Sequence, residues 1–208
     1  MKRLNEGHRA AAVDDKLRLV AIALAAAGLA ETTELATSIQ QWRAQLATAR
    51  ADHAKKLFAL RTATQEVVRL DKAVGRATVR VAQGYADHRD QDRTDPTFAL
   101  AFPIAPSEAT RTLADDRQHL YVRNAIKVLR AVPDLPNGVS KRIDALEAAQ
   151  TELEAAVTRR QSAREAEALS QGQLEQLLKS ARQAYNHLYF HLGRIYNGDI
   201  PQVERFFG

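Results

Sequence analysis

The sequence predicts an all-α protein: an elongated antiparallel helical bundle, or coiled coil, of two long (~55–60 residue) helices and two shorter ones. Three observations carry that expectation. Alanine makes up about a fifth of the 208 residues, and Leu, Arg, Glu and Gln are abundant, a composition that favours long helices. Two stretches, 31–89 and 139–196, contain no proline. Within both, apolar residues recur at alternating spacings of three and four, the signature of a helix with one buried stripe.

The elements follow in order. Val13 to Ala27 reads as a short helix that Gly28 stops. Its run from Leu19 to Ala27 is too short to span a bilayer, and Asp14, Asp15 and Lys16 precede it, so it reads as a buried helix rather than a signal peptide begun by Met1-Lys2-Arg3. The first long helix, Glu31 to Arg89, sets Leu35, Ile39, Trp42, Leu46 and Ala49 on one face. That face resumes through Leu57, Leu60, Val67, Leu70, Val74, Ala77, Val81 and Tyr85 after an interruption near His53. Unbroken, such a helix is about 90 Å long at 1.5 Å per residue.

Asp90 to Ser107 reads as a loop whose Phe98 and Phe102 pack down. Ser107 and Glu108 open a helix that Pro133 closes. The last helix, Val139 to Tyr196, carries Ile143, Leu146, Leu153 and Val157, then Leu174, Leu177, Ala181, Leu188, Leu192 and Ile195. Between Val157 and Leu174 the face is nearly bare of large apolar groups, so it is either weakly packed or completed by another chain.

A single helical domain spanning 1–208 is expected, and its parts 8–106 and 107–208 read as a pseudo-repeat. Asp14-Asp15-Lys16 and Asp115-Asp116-Arg117 each open a short helix. Leu46 with Leu153, Val67 with Leu174, Leu70 with Leu177 and Val81 with Leu188 all stand 107 positions apart. Two heptad helices also align by chance at some register, so both readings stand at this point.

The absence of cysteine excludes disulfides, thiolate metal sites and cysteine nucleophiles, and fits a reducing compartment; a cytoplasmic location is expected. Arginine outnumbers lysine, which hints at a bacterial source. No Gly-rich phosphate loop, dinucleotide fingerprint, nucleophile elbow or zinc-protease motif occurs, so neither enzymatic activity nor a cofactor is expected. His187 and His191, at i and i+4, share one helix face and are the best metal candidates, although no third ligand lies near them in sequence. Asp90, Asp92 and Asp95 have part of a calcium-loop spacing, but the central Gly and terminal Glu are missing.

The net charge is +5, with 30 basic and 25 acidic residues interleaved. Arg61, Arg69, Lys72, Arg76 and Arg80 recur along the first long helix, and Arg159, Arg160 and Arg164 along the last. They are candidates for binding nucleic acid or another polyanion. No polybasic cluster points to a membrane surface. The leading expectation is a non-enzymatic structural, assembly or protein-interaction module that pairs with a protein partner or forms a homo-oligomer. Val203, Phe206 and Phe207, an apolar tail, are its expected contact residues.

Overall fold

The computed structural model describes residues 9–90, 94–112 and 115–207, with the backbone alone at 110, 111, 115 and 116. The described residues contain no strand. Seven helices occur among them: α1 (Ala10–Ala27), α2 (Ala30–His88), α3 (Pro96–Ala101), α4 (Pro106–Thr112), α5 (Asp115–Arg130), α6 (Asn137–Ile195) and α7 (Ile200–Glu204). The protein is an all-α helical bundle whose two long helices pack against each other.

Residue chemistry explains where the helices begin and end. Gly28, at φ 71°, takes the left-handed conformation that closes α1. Asp95 starts α3 by accepting hydrogen bonds from the backbone N–H of Thr97 and Phe98. Asp199 does the same for α7, accepting from Gln202 N–H. At the end of α6 the Gly198 N–H donates to the Gly193 carbonyl at 2.8 Å, capping the last turn.

The chain divides into two compact units. The first comprises Met1–Ala59 with Arg164–Gly208, and so holds α1, the first part of α2, the second part of α6, and α7. The second, Leu60–Ala163, holds the rest of α2, then α3, α4, α5 and the first part of α6. In each, α2 and α6 run antiparallel. In the second unit Glu66 pairs with Arg159, and the carbonyl of Arg80, farther along α2, accepts from Arg142, farther back along α6. In the first, His53 meets Ser170, while Leu35 and Trp42 lie beside Leu188 and His191.

Each unit has its own core. Val13, Leu17, Val20, Ala21 and Leu24 of α1 join Ala36, Ile39 and Leu46 of α2 and Leu178, Ala181, Tyr185, Leu188 and Leu192 of α6. The second core joins α2 from Val67 to Ala86 with α5 and with α6 from Val139 to Val157. At about 2 kcal/mol per buried leucine or valine, such sets dominate over the propensity of any single helix. Residues 47–66 and 158–173 contribute to neither core. The bare stretch read after Val157 falls here, whereas the interruption near His53 extends past Leu57 and Leu60, which are half-buried outside both cores rather than part of the resumed seam. Polar contacts occupy that part of the first unit: buried Ser170 lies 3.3 Å from His53 Nδ1, and Glu167 lies 3.8 Å from the same atom.

The two long helices have equal length and share part of their buried pattern, although Val67 and Leu70 are buried where Leu174 and Leu177 are only half-buried. Each has 59 residues, and the bounds differ by 107 positions at both ends, from Ala30 to Asn137 and from His88 to Ile195. Buried Thr32, Ala36, Ile39, Leu46, Val74, Thr78, Val81 and Tyr85 fall at the same positions as buried Val139, Ile143, Leu146, Leu153, Ala181, Tyr185, Leu188 and Leu192. The buried face of α1 transfers to α5 at a shift of 101: Leu17, Val20, Ala21 and Leu24 become Gln118, Tyr121, Val122 and Ala125, all buried.

Several expectations need correction. The stretch read as a loop, 90–107, contains α3, because Pro96 and the Asp95 cap start a helical turn and Phe98 and Phe102 anchor it. The helix expected from Ser107 to Pro133 is described as α4 and α5, with 113 and 114 outside the described residues. Only one face of α1 is buried. The tail expected to be exposed is core: Val203, Phe206 and Phe207 are all buried. Phe207 packs edge-on against Tyr185 at 5.4 Å between ring centres, and Phe206 lies 5.5 Å from Tyr196. Four aromatic rings are better buried together than left in water, and the short α7 turns the chain back to allow it.

Candidate functional site

The first candidate is the outer face of α1. No residue from Leu19 to Ala27 is polar. The inner face accounts for Val20, Ala21 and Leu24, yet Leu19 and Ile22 are 51% and 59% exposed, with Ala25 and Ala26 exposed beside them. Leu29, just past the end of the helix, is 43% exposed. A surface helix ordinarily turns charged and polar groups outward. Helix α5 does so: its outer positions are Arg123, Asn124 and Lys127, with Leu120 the exception. The same inner pattern is thus compatible with a polar exterior, and the apolar exterior of α1 is not a requirement of the fold.

Residues singled out in the sequence fall as follows. His187 and His191 are exposed and border a crevice of about 150 Å³ with Leu35, Ser38 and Trp42. Among the described residues no group of three or more His, Asp or Glu side chains comes together that could hold a metal ion. Of the suspected calcium loop, Asp92 lies outside the described residues, Asp90 has a positive φ of 51°, and Asp95 caps α3. The Asp95 carboxyl is held below the usual carboxylate range, first by the Phe98 N–H, then by the Thr97 N–H and Arg89. This is a structural carboxylate.

The cations divide. Arg159 forms an ion pair with Glu66 at 3.0 Å, and half-buried Arg160 lines a cleft described below. Arg61 and Arg69 are exposed, and Arg164 belongs to the first unit rather than the second. Lys72, Arg76 and Arg80 share one face of α2, where they line a groove of about 500 Å³ with Val79, Ser107 and Gln118.

A site not visible in the sequence lies in the second unit. Val67, Val68, Val74, Leu153 and Val157 wall a cleft of about 340 Å³. Its polar groups come from three helices: Asp71 and Gln118 from α2 and α5, then His119, Gln150 and Arg160. Gln118 Nε2 donates to Asp71 Oδ1 at 3.1 Å. Gln150 Nε2 contacts His119 Nδ1 and donates to Glu154 Oε1 at 3.1 Å. Glu154 also accepts from Arg123 Nη2 at 2.7 Å. Its carboxyl is lowered, first by the Gln150 amide and then by Arg123, so it is ionised at neutral pH and fixes which end of the amide faces it. Gln118 and Gln150 are 6% and 4% exposed, and Gln150 Oε1 has no hydrogen-bond partner among the described residues. Sequence reasoning missed these residues because a Gln or His among heptad charges looks like solvated surface. The only signal was Gln118 at the place in its helix that Leu17 occupies in α1.

These features define an all-α helical bundle with an apolar outer helix face and a polar-lined cleft. No family model matches the chain, and no curated protein or solved structure matches it. No helix among the described residues is long and apolar enough to cross a membrane.

Proposed function

We propose that this protein is a non-enzymatic assembly module, built from two copies of one helical unit, that pairs with a second copy of itself through the outer face of α1. The single observation behind this reading is that Leu19, Ile22, Ala25 and Ala26 face outward on a helix whose counterpart, α5, presents mainly polar groups. Exposed apolar stripes of this kind mark interaction sites. A second copy is the occupant because the stripe is self-complementary. In an antiparallel pair related by a two-fold axis at Ile22, the two Ile22 side chains meet, and Leu19 of one copy stands against the small Ala25 and Ala26 of the other. Large against small is what close helix packing needs, and an isologous contact closes at two copies.

The chain has no cysteine, which makes a direct test available. Ile22→Cys, at the axis, forms an intermolecular disulfide under mild oxidation, whereas Leu120→Cys, on the exposed face of α5, does not. Equal cross-linking of the two variants, or none in either, contradicts the pairing.

A second reading, polyanion binding, is favoured by one observation: Lys72, Arg76 and Arg80 line a common groove. It predicts that single-stranded nucleic acid binds with an affinity that falls steeply with salt, and that Arg76→Ala with Arg80→Ala removes the binding.

A further inference from the structure

We infer that the cleft of the second unit binds a small, mostly apolar ring compound that carries a hydrogen-bond donor, an N–H or O–H, for Gln150 Oε1. The volume, about 340 Å³, lies at the small end of ligand pockets, which run from about 300 to 1,000 Å³. Walls of valine and leucine around a few convergent polar groups are the composition of such pockets.

The polar groups do not belong there for the sake of the fold. At the equivalent positions of the first unit, Gln118 and Asp71 correspond to Leu17 and Leu178, both buried in an apolar core. The same architecture therefore closes with two leucines where the second unit keeps an amide and a carboxylate. Gln150 corresponds to Arg43, whose Nε is satisfied by Asp14 Oδ1 at 2.8 Å. Among the described residues, Gln150 is satisfied only at its nitrogen end.

That asymmetry sets the ligand chemistry. Glu154 accepts only, since it is ionised, so it holds the Nε2 end of the amide. His119 Nδ1 lies beside the same nitrogen, on the same side of the amide as Glu154. The amide oxygen is left over, shielded from solvent and without a donor among the described residues. A buried acceptor with no partner costs free energy until a donor reaches it. A molecule that fills the apolar part of the cleft and offers one N–H to a slight rotation of the amide recovers that cost. An isosteric molecule without the donor does not.

The test compares indole with benzofuran, which has the same shape but an oxygen in place of the N–H. Both are titrated into the full chain by calorimetry, with the Gln150 side-chain amide resonances followed by NMR. Indole is expected to bind about tenfold more tightly, the equivalent of one good hydrogen bond, and to shift the Gln150 amide. Gln150→Leu, checked by its thermal melt, should abolish the preference while benzofuran binding remains. Val68→Trp, on the half-exposed rim, should block both ligands without touching the polar network. Failure of both compounds to bind the native protein, equal affinity for the two, or a preference that survives Gln150→Leu overturns the inference.

Discussion

Gln118 Nε2 lies 3.1 Å from Asp71 Oδ1, joining α5 to α2 by a hydrogen bond from a buried amide to a half-buried carboxylate. The corresponding positions in the first unit hold Leu17 and Leu178, which are core. Two solutions to one packing problem thus coexist in a single chain, and the difference between them can be measured.

Replacing Gln118 with leucine leaves Asp71 without that donor, and replacing Asp71 with leucine leaves a buried amide without its acceptor. Each single change should cost about 1–3 kcal/mol. The double variant Asp71→Leu with Gln118→Leu restores the apolar arrangement and should be at least as stable as the native chain. Urea unfolding midpoints for the four proteins give the coupling directly. Simple addition of the two losses would show that the pair does not act as a unit.

The aromatic tail makes a separate prediction. Phe207 packs on Tyr185 and Tyr189, at 5.4 and 5.8 Å. Phe207→Ala should therefore lower stability by about 3–5 kcal/mol through the cavity it leaves. It should not change the oligomeric state at temperatures where the protein remains folded. Chemical denaturation and sizing of the same variant separate the two effects.

Two tyrosines should titrate late. Burial raises the Tyr121 hydroxyl to about 12, and it donates to the Ile104 carbonyl at 2.7 Å. Burial also raises Tyr185. In the unfolded chain a tyrosine ionises near pH 10, so the folded protein binds the proton longer. The stabilisation is complete below pH 10 and is lost as pH rises through the folded values. Ultraviolet titration should show part of the tyrosine absorbance change delayed in the native protein and recovered in denaturant. Phenylalanine at 121 should remove part of that delay.

Much of the fold was legible in the sequence because long helices are written in composition and period. The 107-position matches of Leu46 with Leu153 and Val81 with Leu188 recur in the structure as matched buried positions, and the bare stretch after Val157 falls where both cores stop. The tail misled because Phe206 and Phe207 follow the end of a helix, and a sequence does not tell whether α7 folds them back. The α1 exterior was hidden for a related reason. An apolar run reads as buried until the geometry shows that, among the described residues, only one side has neighbours. The cleft was least legible of all, since Asp71, Gln118 and Gln150 lie 32 or more positions apart and their meeting depends on tertiary register.

The central claim is that α1 pairs with its copy, and solution mass across a concentration series tests it most directly. Light scattering on a sizing column should give twice 23.0 kDa for the native chain. Leu19→Glu with Ile22→Glu, both exposed positions, should give the single-chain mass with an unchanged helical spectrum. A native chain that stays at the single-chain mass at every concentration, or a charged variant that still dimerises, would contradict the account.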